Sequence, residues 1–324
     1  MVAAAESNMS INDRIVFFEN HYDLIAGGNY FRGKKRFISD GDVRHCRFCQ
    51  REEPETTFKN ESHAIPECLG NHQLILVDEC DKCNAFFSEK LEDHLDKFSK
   101  PYRIAGQIPG KRGIPNYKTD NKKSRIEFDN NSFTVKSQIG EDFLVVDDKK
   151  KEFSIKLHQG PYIPLAVYKA LLKIAMSIVE NKRELSAFKQ TIDWILNPDL
   201  TISVIKPALL KQTFVPGPRP IYGVSVSLLR RKQAVLDVPY AVFVLAFGNV
   251  IFQLVVPSHI DDGVSRSFHF PFFPSLFEIE SWPYGDLIFG SCDLSGTEKI
   301  SGEFPITYRF DQMREIDPKT IESS

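Results

Sequence analysis

Apolar positions repeat at helical spacing in the segment that follows Pro164, "LAVYKALLKIAMSIVE". A first apolar stripe comprises Val167, Leu171, Ile174 and Ile178, and a second stripe lies beside it. So wide an apolar surface has to be covered on most of its circumference. The pattern therefore predicts a buried core helix. A second helix is predicted in "ELSAFKQTIDWIL", which ends at Asn197 because proline follows.

Short apolar and alternating runs dominate the chain after residue 200 and predict strands in "IYGVSVSLLRR", "SFHFPFF", "GDLIFGSCDL" and "EFPITYRF". A long hairpin is predicted in "YAVFVLAFGNVIFQLVVP", with its turn at Gly248-Asn249. Two shorter hairpins are predicted in "SRIEFDNNSFTVKS", around Asn130-Asn131, and in "DFLVVDDKKKEFSIKL". Near the start, "INDRIVFFENHYDLIA" predicts a short helix and "FRGKKRFIS" a basic strand. Together these elements predict an α+β fold with antiparallel strands.

Composition narrows the class of protein. The chain has 324 residues, of which 42% are hydrophobic and 26% charged, which favours a globular protein of two domains. Its formal net charge is −2, so a surface for nucleic acid has to be a local patch. No apolar run approaches the roughly 20 residues that a membrane span needs, and the start lacks the pattern of a secretory signal. We therefore expect a cytoplasmic protein that does not use a membrane.

Four of the six cysteines form two Cys-x-x-Cys pairs, Cys46 with Cys49 and Cys80 with Cys83. Four thiolates suffice to close a tetrahedral zinc site, and this spacing fits a reducing compartment better than disulfides do. The cysteine module, residues 46–98, is too polar to fold on an apolar core alone, so metal binding would supply much of its folding free energy. The alternative is two unrelated pairs. Cys68 and Cys292 are expected to be small buried apolar residues.

The order of motifs around the cysteines is specific. "CRFC" is followed by "SHAIP", then "LGN", then "CDKCN" and the helix-like "AFFSEKLEDHLDKF". This order resembles the HNH, or His-Me finger (ββα-metal), endonucleases that carry a four-cysteine zinc, over roughly residues 37–115. The resemblance implies a zinc-stapled ββα-metal nuclease module. It also implies that His63 is the general base and that Asn84 binds a catalytic divalent cation, Mg²⁺ or Mn²⁺. Asn71 is the candidate for the asparagine that orients the histidine.

The chemistry of phosphodiester hydrolysis fits these residue types. An imidazole can activate water near neutral pH, and a hard cation held by few protein oxygens can stabilise charge on the phosphate and the leaving oxygen. One position departs from the family: many relatives place an acidic metal ligand directly before the histidine, where this chain has Ser62. Glu61 should face the opposite side of a strand from Ser62. The alternatives are a structural role for His63 and a helix N-cap role for Asn84.

Basic residues are concentrated between Lys97 and Arg125, a segment that contains nine Lys or Arg and a single acidic residue, Asp120. This strip is predicted to contact phosphates of a nucleic acid. Its candidate contact residues are Lys97, Lys100, Arg103, Lys111, Arg112, Lys122 and Lys123. The alternative is a solvated linker. No sequence pattern suggests that the protein reads bases, so we expect it to recognise the shape and the sugar-phosphate backbone of the nucleic acid.

Taken together, the sequence predicts an N-terminal extension (1–45), a nuclease module (46–115) and a larger α+β domain (116–324) for sensing, dimerisation or partner binding. The first hypothesis is a metal-dependent endonuclease that cleaves DNA as the effector of a bacterial anti-phage defence system. Its partners would be DNA and a defence-system protein or a second copy of the chain. One alternative, which Ser62 favours, is a non-catalytic zinc-dependent module that binds nucleic acid or protein. Another is a ribonuclease that uses the same site.

Overall fold

A computed structural model describes residues 9–31, 33–39, 45–110, 113–129, 132–138, 140–233, 237–258, 270–278 and 282–312. The chain forms two compact units, residues 1–115 with 160–300 and residues 116–159 with 301–324. The first unit thus joins the cysteine-rich segment to residues far along the chain. The predicted division at residues 45 and 115 stays a prediction.

The elements of the described residues are numbered in chain order. The helices are α1 (Ile11–His21), α2 (Asp81–Phe87), α3 (Asp93–Ala105), α4 (Pro164–Ser177), α5 (Lys182–Ser186) and α6 (Lys189–Leu196), with a π-helical segment (Ser88–Glu92) between α2 and α3. The strands are β1 (Tyr22–Tyr30), β2 (Arg36–Ile38), β3 (Ser62–His63), β4 (Leu74–Leu76), β5 (Tyr117–Lys118), β6 (Arg125–Asp129), β7 (Ser132–Lys136), β8 (Leu144–Asp147), β9 (Glu152–Tyr162), β10 (Leu209–Phe214), β11 (Ile221–Arg231), β12 (Ala241–Gly248), β13 (Val250–Val256), β14 (Ile288–Asp293) and β15 (Ile300–Arg309). Two 3₁₀ turns span Glu67–Leu69 and Leu276–Glu278.

A six-stranded antiparallel sheet forms the centre of the first unit, in the order β1-β11-β12-β13-β10-β14. The predicted hairpin of β12 and β13 is confirmed, and its residues are almost all buried. Its turn needs a glycine because Gly248 has a φ of 55°. The predicted strands at β11, β14 and β15 are confirmed as well.

The predicted core helix is confirmed as α4, and every one of its residues is buried. It packs on the sheet, where the hydroxyl of Tyr168 donates to the main-chain oxygen of Val255 at 2.7 Å. Two lysines, Lys169 and Lys173, are buried among its apolar residues. Buried lysines need charged or polar partners, so α4 has a second role besides packing.

Three predictions of secondary structure were wrong in part. The N-terminal helix ends at His21, because the following residues pair as β1 along β11. The predicted helix over 184–196 is split into α5 and α6. The predicted strand "SFHFPFF" lies partly outside the described residues, and 270–273 form no strand. There the main-chain oxygens of Phe270 and Pro271 accept from side chains, of Lys211 and Gln253, instead of from a neighbouring strand.

The second unit is built from strands in the described residues. One sheet has the order β5-β6-β7 and another β15-β9-β8, and the rings of Phe128, Phe133, Phe153 and Tyr308 pack against one another in a row. Both predicted hairpins are confirmed, while the turn at Asn130-Asn131 lies outside the described residues. Helices and antiparallel sheets together confirm the α+β class. Within the described parts of the chain, every helix is too short or too polar to cross a membrane.

Candidate functional site

The two Cys-x-x-Cys pairs meet in the first unit. The four sulfurs of Cys46, Cys49, Cys80 and Cys83 all lie within 4.8 Å of one another. Sγ of Cys46 is 3.8 Å from that of Cys83, and Sγ of Cys49 is 3.7 Å from that of Cys80. A tetrahedron with zinc–sulfur bonds of about 2.3 Å has edges of about 3.8 Å. The cluster therefore fits a metal ion such as zinc.

Two strands and a helix are arranged around this cluster. β3 pairs antiparallel with β4, and α2 begins between the two cysteines of the second pair, with Cys80 as its N-cap. The carboxylate of Asp81 accepts hydrogen bonds from the main-chain N–H groups of Lys59 and Asn60, which lie just before β3. The start of α2 thus fixes the entry of the strand that carries His63.

Alternation along β3 separates its two residues. Ser62 is only 1% exposed and its hydroxyl is buried without a hydrogen-bond partner among the described residues. His63 is half-buried and faces a surface cavity. Position 62 therefore does not reach the cavity, and an aspartate there would bury its charge in the interior rather than bind a cation in the cavity.

The cavity has a volume of about 360 Å³. It is lined by Glu61, His63, Pro66, Glu67, Cys68, Asn84, Ser88, Glu92, Asp93 and Asp96. Two of the three predicted catalytic residues, His63 and Asn84, thus share one cavity, and Asn71 lies outside its lining. Cys68 and Cys292 were predicted to be small buried residues, and both are only partly buried.

One wall of the cavity is formed by α2, the π-helical segment and α3, which follow one another without a break. Asn84, Ser88 and Glu92 follow one another at intervals of four residues through α2 and the π-helical segment. A π turn adds about one residue to a helical turn and so rotates the side chains that follow. Leu91 and Leu95 consequently point into the core, and acidic residues face the cavity.

Asn84 is not the cap of its helix. α2 begins at Asp81, and the main-chain N–H of Asn84 already donates to the main-chain oxygen of Cys80 at 2.9 Å. The N-cap alternative for Asn84 is therefore wrong. Its side chain is half-buried at the cavity, which leaves its carbonyl oxygen available to a ligand.

Asn71 stabilises the loop between β3 and β4. Its side-chain N–H groups donate to the main-chain oxygens of Ile65 (2.7 Å) and Leu74 (3.1 Å), and its side-chain oxygen accepts from the N–H of Gln73. Gly70 precedes it with a φ of 95°, which explains the glycine of "LGN". Asn71 thus fixes the loop that follows His63, and its role in orienting the histidine stays a prediction.

His63 sits in a mixed electrostatic environment. Burial lowers the pKa of its imidazole, and the nearby carboxylates of Glu67 and Glu61 oppose that shift without cancelling it. Nε2 lies 3.7 Å from a carboxylate oxygen of Glu67, while Nδ1 is buried without a hydrogen-bond partner among the described residues. A lowered pKa keeps the ring neutral near pH 7, the state in which it can accept a proton.

The carboxylates of the cavity differ in their partners. Four of them are ion-paired, Glu61 with Lys35 (2.5 Å), Glu92 with Lys173 (3.2 Å), Asp93 with Lys97 (2.6 Å) and Asp96 with Arg103 (2.7 Å). Glu67 lies near histidines instead, 3.7 Å from His63 and 3.9 Å from His72, and pairs with no Lys or Arg among the described residues. Glu67 is absent from the residues predicted from the sequence, where its position four residues after His63 was the available signal.

The predicted phosphate-contact residues between Lys97 and Arg125 differ in burial, in ion pairing and in the unit to which they belong. Arg103 is only 5% exposed and bound to Asp96, so the prediction that it contacts phosphate was wrong. Lys97 is paired with Asp93, and Lys100 is half-buried. Lys122 and Lys123 are exposed and belong to the second unit, whereas Lys111 and Arg112 lie outside the described residues.

Arg47, inside the first cysteine pair, reaches the end of α4. It is fully buried and forms a two-bond ion pair with Asp78, at 2.8 Å for each bond. Its third nitrogen donates to the main-chain oxygens of Met176 (2.9 Å), Ser177 (3.1 Å) and Val179 (2.8 Å). A guanidinium thus satisfies the carbonyl end of α4, where positive charge is favoured.

Comparison with known proteins agrees with this geometry. The family model for HNH endonucleases matches residues 46–99, which span the four cysteines, His63 and Asn84. No curated protein and no solved structure matches the chain. Residues 46–99 of the chain are therefore similar to the HNH endonuclease family.

Proposed function

We propose that this protein is a metal-dependent endonuclease that hydrolyses phosphodiester bonds of DNA. The observation that supports it most directly is one cavity, inside the family match, that is lined by both His63 and Asn84. The test is cleavage of plasmid DNA and of single-stranded RNA in Mg²⁺ or Mn²⁺ and in EDTA. Cleavage of RNA alone would favour the ribonuclease, and binding without cleavage of either would favour the non-catalytic module.

His63 is the proposed general base. Its Nε2 is the ring nitrogen near the cavity carboxylate of Glu67, and its lowered pKa makes the neutral ring the main form at neutral pH. The neutral ring takes a proton from the attacking water. Glu67 then lies where it stabilises the imidazolium that forms, since opposite charges within about 4–6 Å favour each other.

Asn84 is the proposed protein ligand of the catalytic cation. The helical wall that carries it offers oxygen donors, from Ser88, Glu92 and the carboxylates beside them, which are the donors that Mg²⁺ and Mn²⁺ prefer. When bound, such a cation neutralises charge on the phosphate and on the leaving oxygen. The four cysteines are proposed to hold structural zinc. Soft thiolates favour zinc, whereas oxygen donors favour Mg²⁺ or Mn²⁺, so the two sites select different ions.

Asn84→Ala is expected to lower turnover, with partial recovery as Mg²⁺ or Mn²⁺ is raised, because mass action refills a weakened cation site. Thermal stability should stay near that of the parent, because Asn84 is not a helix cap. The measurement is the initial cleavage rate over a titration of each cation. Lys82→Ala, on the same helix but outside the cavity lining, is the matched control and should titrate as the parent does. A loss of turnover that no cation concentration relieves would contradict the ligand role.

Lys122 and Lys123 are proposed to bind phosphates. Replacing both by Ala should weaken DNA binding and reduce the slope of log affinity against log salt by up to about 0.9 for each phosphate that is no longer neutralised. Lys149→Ala with Lys150→Ala removes the same charge from another exposed turn of the second unit and should leave the slope unchanged. The measurement is fluorescence anisotropy of labelled duplex DNA over a range of salt. Equal slopes in both double variants would return residues 118–125 to the solvated-linker alternative.

A role in bacterial anti-phage defence, with a partner protein or second copy bound to residues 116–324, is also part of the proposal. It rests on the size of the chain beyond the family match and on analogy between small nucleases and defence effectors. Phage plating on cells that express the protein together with its neighbouring genes would test it.

A further inference from the structure

Lys173 of α4 contacts two residues that line the cavity, His63 and Glu92, although α4 is outside residues 46–99. It is buried in the first unit, 1% exposed. Its ammonium donates to the main-chain oxygen of His63 at 3.1 Å and lies 3.1 Å from Glu79 and 3.2 Å from Glu92. A residue far along the chain thus contacts the proposed catalytic histidine itself.

These three interactions match what an ammonium group offers. Lysine has three N–H donors, no acceptor and a positive charge; here it donates one hydrogen bond to β3 and forms ion pairs with the segment before Cys80 and with the π-helical segment. Burial lowers the pKa of Lys173, but the carboxylates of Glu79 and Glu92 outweigh it, so the pKa is raised overall. The lysine is therefore charged at neutral pH and holds three separate elements together.

Arg47 provides a second link between α4 and the segment that carries Glu79. Arg47 binds the carbonyl end of α4 one turn beyond Lys173, and its partner Asp78 is the neighbour of Glu79. Two buried cations therefore link α4 to the segment just before the second cysteine pair. Buried ion pairs contribute little net stability compared with apolar residues of the same size, so packing alone does not account for a lysine here.

We propose that Lys173 is a positioning residue for the nuclease site: it fixes the main chain of His63 and directs Glu92 into the cavity. This inference rests on the proposed function for its effect on turnover. It makes α4 part of the active machinery although the helix lies beyond the family match.

The test compares Lys173→Met with the double variant Lys173→Met, Glu79→Gln. The single variant leaves Glu79 buried without its cation and should melt at a lower temperature than the parent. The double variant removes both buried charges, while Glu92 is partly exposed and can be hydrated. Its melting temperature should return towards that of the parent, yet its turnover should stay about tenfold or more below, since small misplacements at a reacting centre are costly.

A measurement independent of cleavage accompanies it. The N–H of Ala64 shares a peptide bond with the His63 carbonyl and donates to Leu74 at 3.2 Å. Its hydrogen exchange should be faster in the double variant, while the amides of β12 and β13 exchange as in the parent. Lys169→Met is the matched control, because Lys169 is buried one turn earlier but donates to the main-chain oxygen of Asn197. It should alter neither turnover nor exchange at Ala64.

The two readouts separate the two proposals. A parent that cleaves nothing overturns the proposed function, and exchange at Ala64 still decides whether Lys173 fixes the strand. Parental exchange in the double variant, or parental turnover where the parent cleaves, overturns the positioning role.

Discussion

Replacing His63 by Ala is expected to abolish cleavage while the protein keeps its fold. Loss of a general base typically lowers turnover about 10²- to 10⁴-fold. The effect should fall on turnover rather than on DNA affinity, because the base acts in the transition state. The measurement is single-turnover cleavage of plasmid DNA, together with metal content and melting temperature.

The structure explains why the fold should survive. Nδ1 of His63 has no hydrogen-bond partner among the described residues, so truncation removes no such bond from it. The hydrogen bond from Lys173 is to the main-chain oxygen of His63, which alanine keeps. His158→Ala removes an exposed histidine of the second unit and serves as the control. Normal cleavage by His63→Ala would mean that the base is elsewhere and that the family match does not carry its mechanism to this chain.

Replacing Cys80 by Ser is expected to cause the largest loss of stability. Structural zinc in small modules contributes about 10–16 kcal/mol of apparent binding free energy, which is linked to folding. Loss of a thiolate should release the ion and give insoluble or protease-sensitive protein. The measurements are metal content, with about one zinc per chain expected in the parent, and limited proteolysis.

The damage should extend beyond the cysteine cluster. Arg47 is held between Cys46 and Cys49, so a disordered first pair would also release the end of α4. Cys292→Ser is the matched control, because its sulfur is far along the chain and, among the described residues, accepts from Gln212 alone, at 3.0 Å, which a hydroxyl can replace. Well-folded parent protein without zinc would refute the assignment, as would Cys80→Ser protein that keeps its metal.

The sequence was most informative where short motifs are constrained locally. The cysteine spacing predicted a cluster that the structure closes, and "SHAIP" with "CDKCN" predicted two residues, His63 and Asn84, that share a cavity. The glycine of "LGN" also has a local reason, its positive φ. Apolar runs such as α4 and the hairpin of β12 and β13 were predictable because their burial is nearly complete.

Features that depend on burial or on neighbours in the folded protein were not predictable. Arg103 belongs to a basic run in the sequence but is neutralised by Asp96 within its own helix. Ser62 suggested a missing ligand, whereas its burial shows that the position faces the interior. The strand β1 follows a helix without a break because β11, nearly 200 residues later (221 − 22 = 199), pairs with it. Lys173 stands in an apolar helical segment of the sequence, which gives no sign that its partners lie on three other segments.

Arg47 and Lys173 link α4 to residues 46–99, so this segment cannot complete its contacts until α4 has been synthesised. Residues 46–99 are made first, and the last residue of α4 follows 78 positions later (177 − 99 = 78). At about 5–20 residues per second, this delay is roughly 4–16 s. Until then Glu79 and Glu92 have no cation from α4, and the carbonyl end that Arg47 binds does not exist. A nascent chain that stops before Pro164 therefore carries every residue of the family match and still lacks the lysine that holds its histidine in place.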